Sequence, residues 1–222
     1  MARLGQKVAN VVAVDNHPRT AGDKARLREL VLAEVDAPVF DAFAGSGEMF
    51  RRVWHKAPGY VGCDLRWFPE DPRLAFVADN RRVLRAIDLA RFGIFDLDAY
   101  GSPWEQVVII AGRRSVRPGE RIGLVLTDGS SLKLKMGGAP KALALLCGMR
   151  ASATGLGSSH DELITRATRG LARRMGCDLV RAWRARGKSA ARVIYLALVL
   201  EGLPIEQRLP PSGETSSQHR AA

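Results

Sequence analysis

The sequence is short of acid. Its 222 residues hold 34 lysines and arginines against 23 aspartates and glutamates, for a formal charge of +11 and a pI of about 10.3. An imbalance of that size argues about partners rather than fold. Nucleic acid is the first candidate. An anionic membrane surface is the second, but neither a basic amphipathic helix nor a lipidation signal stands out. An arginine-rich composition also raises charge without any function attached. No uncharged apolar run approaches the ~18 residues of a membrane-spanning helix. The start, "MARLGQKVANVVAV", lacks the long apolar stretch and small-residue cleavage site of a signal peptide. Cysteine is scarce too. Cys63, Cys147 and Cys177 are odd in number and show no CxxC spacing, which excludes a disulfide framework and reads as reduced, buried thiols in a cytoplasmic protein. His17, His55, His160 and His219 make no metal-ligand pattern with them, so no metal is expected.

The chain has room for one generous domain with small additions. "KVANVVAVD" (7–15) reads as a short strand. "GDKARLRELVLAEV" (22–35) reads as a helix with Leu27, Leu30, Val31 and Val35 on one face. Strands are expected at 37–43, 59–65, 72–80, 92–98 and 120–129, and helices at 47–56, 81–90 and 103–115. That alternation, with short loops, predicts an α/β fold: a doubly wound, mostly parallel sheet covered on both faces. Helices follow at "PKALALLCGM" and "SHDELITRATRGLARRMG", where Ser159 and Glu162 have capping-box spacing. Residues 177–201 read as a C-terminal antiparallel hairpin around a basic turn at Arg186–Lys188. The expected division is an N-terminal strand and helix (1–36), a main domain (37–203) and a flexible tail (204–222) without apolar content beyond 210.

Four strands end in unusual residues, at the edge of an open parallel sheet where ligands bind. "DAFAGSG" puts Asp41 before a turn whose Gly45 and Gly47 allow close backbone approach. Asp64 follows at roughly the twenty-residue spacing at which an acid meets ribose hydroxyls. Asp79 and Asn80 end the next strand. "FDLDAYGSPW" (95–104) ends the fourth. Alone, the glycine turn is as well read as a plain strand-to-helix turn, and Asp64 as a helix cap. The turn lacks the Lys-Ser/Thr of a P-loop and the third glycine of a nicotinamide fingerprint, which suits a nucleoside without phosphates.

Together these residues resemble class I S-adenosylmethionine-dependent methyltransferases that methylate exocyclic amino groups, over about residues 38 to 130. "DLDAYGSP" is closer to the Asp-Pro-Tyr/Phe-Gly-Ser-Pro of the tRNA guanine-N2 dimethyltransferases, with Ala99 in place of proline. "LVLTDG" (124–129) and "SAARVIYLALVL" resemble further segments of that family. The resemblance implies the Rossmann-like methyltransferase fold and S-adenosyl-L-methionine as cofactor. It implies Asp41, Gly45 and Gly47 around the methionine part with Phe43 packed near, Asp64 on the ribose, and Asp79 with Asn80 at the adenine. Asp98 and the Ala99 carbonyl would accept the target amine's hydrogens, Tyr100 would stack on the base, and Gly101 and Ser102 would contact the substrate. The plain alternative for Asp98 is a cap on the following helix. Asp96, on the same strand face by the period-2 rule, is expected as a hydrogen-bonded orienting group on the substrate side.

"TAGDKARLREL" (20–30) also resembles the Ala-Gly-Gly-Lys segment of DNA adenine methyltransferases. That would bring Lys24 near cofactor and target; otherwise Lys24 lies on an exposed helix face. From Arg166 to Arg192 nine lysines and arginines meet one acid, Asp178. Arg184, Arg186 and Lys188 are candidate phosphate contacts, and Trp183 either stacks on a base or belongs to the core. The substrate expected is RNA, with a DNA amino methyltransferase as the alternative. A relative that binds cofactor or nucleic acid without catalysis is the alternative of another class. Either the basic hairpin alone reads the substrate, or a partner protein or homodimer supplies the specificity.

Overall fold

The computed structural model describes residues 18–66, 68, 73–152, 155–186 and 193–208. The expected strand at 7–15, the tail from 210 and Lys188 lie outside them. Helix α1 (Pro18–Glu34) leads into β1 (Val39–Asp41), α2 (Glu48–Arg52), β2 (Tyr60–Asp64), β3 (Ala75–Val77), α3 (Asn80–Ala86) and β4 (Ile94–Leu97). Then come α4 (Trp104–Arg113), β5 (Arg121–Asp128), α5 (Ser131–Met136), α6 (Lys141–Cys147), α7 (His160–Arg174), β6 (Cys177–Arg186) and β7 (Ile194–Gly202).

Among the described residues the strands form one seven-stranded sheet in the order β3-β2-β1-β4-β5-β7-β6. β1 to β5 are parallel. β7 runs antiparallel between β5 and β6. The central strands are short and buried on both faces, as β4 shows with all four residues buried, because helices cover each side. One core holds Phe40, Phe95, Leu97, Leu124 and Leu126 with Trp104 and Ile110 of α4 and Leu171 of α7. The other holds Val39, Ile94, Val125 and Val199 with Leu27 and Val31 of α1. α1 therefore packs on the sheet. Gly123 on β5 makes room for it, since a Cβ there would sit 2.3 Å from the Val31 side chain.

The sequence order reverses direction in the sheet between β1 and β4. In open parallel sheets ligands bind outside the carboxyl ends of the strands at such a reversal. Several expected elements are shorter than their patterns: the third strand keeps only Ala75–Val77, and the helix expected over 47–56 divides into α2 and a 3₁₀ turn at Trp54–Lys56. The capping box is corrected. Ser159 precedes α7, but its side chain makes no capping hydrogen bond. Trp183 is half-buried on the edge strand β6, at the margin of the second core.

Candidate functional site

β1, β2, β4 and the loop into α3 bring the expected residues to one edge of the sheet. At the end of β1 the chain turns at once. Gly45 (φ 47°) and Gly47 (φ 82°) take left-handed backbone that other residues rarely adopt. Asp64 braces this turn from β2: its carboxylate accepts the Gly45 amide at 2.9 Å and the Arg66 amide at 3.0 Å. Asn80 ties α3 to the same region, donating to the Ala42 carbonyl at 2.7 Å and accepting from Gln106 at 2.9 Å. Phe43 packs partly buried against the first core.

Two of the expected residues already have protein partners. Asp41 is 3% exposed and lies beneath the turn rather than open to a ligand. It accepts the Tyr60 hydroxyl at 2.9 Å and the Phe43 amide at 3.1 Å. Burial, with Asp96 directly opposite on β4, pushes its carboxyl up to about 8. Asp79 caps α3 by accepting the Arg81 amide, and its carboxylate also takes the Arg81 guanidinium at 2.7 Å. Those hydrogen bonds bring it down to about 2. A nucleobase amine at Asp79 has to share that carboxylate with Arg81.

The turn after β4 is the centre of the site. Asp98 is enclosed on most sides and still exposes 18% of its side chain. One carboxylate oxygen takes Lys24 Nζ at 3.0 Å and Arg28 at 3.4 Å, and the other accepts the Thr127 hydroxyl at 2.6 Å. Burial works to raise this carboxyl, but Arg28, Lys24 and Thr127 together hold it below the usual aspartate range. Asp98 does not cap α4, whose first turn has no side-chain cap. Lys24 is not on an exposed helix face either; it reaches Asp98 and lies 5.5 Å over the Tyr195 ring.

Behind Asp98 sits a group that pattern reading missed. Arg28 is 1% exposed and grips Asp96 with two hydrogen bonds, of 2.6 and 2.7 Å. Burial opposes its charge, but Asp96 and Asp98 outweigh burial and raise its pKa. Trp54 completes the shell, donating to Asp96 at 2.7 Å. Asp96 is itself 0% exposed. It is thus not a substrate contact; it anchors the arginine that orients Asp98.

Ala99 is buried, and its amide donates to the Leu97 carbonyl at 2.8 Å. Proline could not make that bond. Tyr100 then projects into solvent, 78% exposed. Gly101 (φ 112°) turns the chain, and its carbonyl accepts the Gly129 amide at 2.5 Å. Ser102 is half-buried between them and α4. Past the turn, Trp104 donates to the buried Asp128, which also accepts the Ser130 amide and hydroxyl and pairs with His160 at 2.9 Å. The Thr-Asp pair at the end of β5 is therefore split in role: Thr127 holds Asp98, and Asp128 holds the base of α4. Across the sheet, Arg186 lies in register with Ile194, and Ile194 with Asp128, so the basic hairpin reaches the same edge. Its Arg184 and Arg186 share one carboxylate, Asp161 of α7.

No protein-family model and no curated protein matches this chain. Solved structures do. Trm1 from Pyrococcus horikoshii, in complex with S-adenosyl-L-methionine, superposes with a TM-score of 0.58 at 16% identity, covering 87% of this chain and 59% of that one. M. jannaschii TYW2 in complex with AdoMet gives 0.53 at 10% identity, over 88% of this chain and 80% of that one. The N-methyltransferase NodS from Bradyrhizobium japonicum WM9, in complex with S-adenosyl-L-homocysteine, gives 0.50 at 13% identity, over 85% and 89%. The likeness is one of fold: this chain has the Rossmann-like α/β fold of S-adenosylmethionine-dependent methyltransferases.

Proposed function

We propose that the chain is an S-adenosylmethionine-dependent methyltransferase acting on an exocyclic amino group of a base in nucleic acid, with guanine N2 of an RNA as the favoured target. The observation that carries the reading is Asp98: a carboxylate held ionised just past the carboxyl end of β4, one residue from a buried alanine and two from an exposed tyrosine.

The residues present fit the cofactor. Gly45 and Gly47 add no side chains of their own to the turn, and the Arg73 guanidinium donates to its Ala44 and Gly45 carbonyls. A carboxylate has about four acceptor positions, and Asp64 has given two of them to backbone amides, which leaves capacity for ribose hydroxyls. Gly45, Gly47, Asp64, Asp79 and Asn80 would hold the cofactor, with Asp41 and Phe43 shaping the turn from below. When bound, it supplies an electrophilic methyl group.

The chain's own task is to make a poor nucleophile attack. The lone pair of a base amine is delocalised into the ring. Accepting its two hydrogens at Asp98 and at the Ala99 carbonyl localises that pair and stabilises the positive charge that grows on nitrogen. Tyr100 offers a face on which the base stacks. Arg28 is locked by Asp96, but Lys24 is partly exposed and can yield its place on Asp98 to the amine. Asp98 is too acidic to keep the surplus proton, which passes to solvent.

Lys24 beside Asp98 also favours a second reading, a DNA amino methyltransferase, whose related segment places a lysine near the target. One experiment separates the two: transfer of labelled methyl groups to tRNA, rRNA and DNA side by side, with Asp98→Ala as control. Labelling of RNA, reduced roughly 10²–10³-fold by the substitution, is the expected result. Equal labelling by the variant removes Asp98 from the mechanism. A labelled protein or small molecule with unlabelled nucleic acids overturns the substrate class. Folded protein that fails to bind S-adenosylmethionine in calorimetry overturns the enzyme and a non-catalytic cofactor-binding relative together.

A further inference from the structure

We infer that an unpaired strand of nucleic acid is held on the segment that follows β5, residues 129–150, rather than chiefly on the basic hairpin. The inference rests on the functional reading above and adds the surface that presents the base to Asp98.

The charge pattern comes first. Between Asp128 and Asp161 the chain has no acid at all, while it carries Lys133, Lys135, Lys141 and Arg150. All four are exposed. None of them forms an ion pair among the described residues, whereas many exposed arginines elsewhere do. Arg121 meets Glu201 and Glu34, Arg81 meets Asp79 and Glu105, and Arg184 and Arg186 meet Asp161. The hairpin that looks most basic in sequence has thus part of its charge answered from α7, and the segment after β5 has not.

The apolar pattern comes second. Leu132 and Met136 stand one helical turn apart on α5, 63% and 80% exposed. Leu134, between them, is buried and fixes α5 to the core. Lys135 lies against Gly157, where a Cβ would come within 2.3 Å of its side chain. Apolar faces set among unpaired cations suit a ligand that is both anionic and flat-faced. Bases stack or lie on such side chains while phosphates meet the lysines.

Position comes third. This segment starts beside the reacting turn. Thr127 holds Asp98, and the Gly129 amide donates to the Gly101 carbonyl. Leu132 follows three residues later. A strand lying on α5 therefore passes the exposed Tyr100 side of the turn.

The test compares two full-length variants, Lys133→Gln/Lys135→Gln/Lys141→Gln/Arg150→Gln and Arg184→Gln/Arg186→Gln. Labelled single-stranded RNA and DNA oligonucleotides are the probes, read by fluorescence anisotropy over a range of salt. Cofactor binding is read by calorimetry, and phosphatidylcholine–phosphatidylserine vesicles serve as a control surface. The fourfold variant is expected to bind strands roughly tenfold or more weakly, with a salt slope shallower by about 0.7 for each lost phosphate contact. S-adenosylmethionine binding and thermal melting should be unchanged, and the hairpin variant should lose less. Strand binding unaffected in the fourfold variant, or lost mainly in the hairpin variant, overturns the inference while leaving methyl transfer intact. Strand binding through this segment by a protein that transfers no methyl group overturns the enzymatic reading and leaves the inference standing. A wild type that binds vesicles but no strand overturns both the surface and its substrate class.

Discussion

Asp41 and Asp96 face each other across β1 and β4, and Asp98 lies two residues further on. Three carboxyl groups thus share a small volume with two cations, Arg28 and Lys24. Asp96 and Asp98 take the cations directly; Asp41 takes a tyrosine hydroxyl and a backbone amide instead. Asp41 therefore resists ionising, with its carboxyl pushed up to about 8, and burial shifts Asp96 in the same direction against the pull of Arg28. The sign of the pH effect follows. Between the ordinary aspartate range and about pH 8, the unfolded chain has lost this proton and the folded chain has kept it. Folding stability then falls as pH rises through that window, by up to about 1.4 kcal/mol per pH unit from this one group, and the effect stops above it. Asp41→Asn removes the proton from the balance. Urea denaturation at a series of pH values from 5 to 9 should show a flatter dependence for the variant than for the wild type, with the variant gaining relative stability toward alkaline pH. Parallel curves would mean that Asp41 is ionised in the fold throughout. The expected partner of Asp98 in function, the Ala99 carbonyl, depends on backbone rather than side chain, so alanine in place of proline keeps the acceptor and adds a hydrogen bond to Leu97.

α1 shows how one helix serves both fold and site. Leu27 and Val31 bury its apolar face against the sheet, while Lys24 and Arg28, one turn apart, point at the carboxylates of β4 and its turn. Removing one member of a buried ion pair leaves the other unpaired, typically at a cost of about 3–5 kcal/mol. Arg28→Met should lose stability on that scale in urea. The loss should shrink as pH falls toward 4, because the orphaned carboxyls can then take up protons. Lys24→Met, at a partly exposed pair, should cost about 1 kcal/mol or less. Equal costs for the two would mean that Arg28 is not the anchor of the cluster. The strand-end acids were legible in the sequence because strands, loops and turns follow local rules, and so was the glycine turn. Arg28 was not. In a helix with arginines at 26 and 28, nothing local marks which one points inward; only the arrival of β4, 68 residues later, decides it. Beside the ligand role expected of it, Asp79 has a local one that the reading did not include, capping α3 and holding Arg81 two residues on. The acid that meets Arg184 and Arg186 was not legible either: Asp161 comes from α7 and lies outside the run of arginines that defined the pattern.

At the scale of the whole molecule, the excess positive charge is not spread evenly. Ion pairs answer many cations along α1, α3, β5 and β6. Arg166, Arg169, Arg173 and Arg174 of α7 and the cations of the acid-free segment after β5 are exposed without an ion pair among the described residues, and the segment lies beside the turn that holds Asp98. A cofactor bound among the glycine turn, Asp64 and Asn80 meets hydrogen-bonding groups close by, where salt screens weakly. A strand held by solvent-exposed lysines and arginine displaces counterions, and its affinity falls as a power of salt concentration. For four phosphate contacts on a single strand, raising salt from about 50 to 200 mM should weaken binding about fifty-fold. Methyl transfer at substrate concentrations below saturation should fall by a similar factor, while the cofactor's dissociation constant moves little. If, as proposed, the charge acts on capture and not on transfer at Asp98, saturating substrate should restore most of the rate. The measurement is the transfer rate across a salt series at low and at high substrate. A rate that falls equally at both concentrations would place the salt-sensitive interaction in the reacting turn itself, at the Lys24–Asp98 pair, and not on the surface that brings the strand to it.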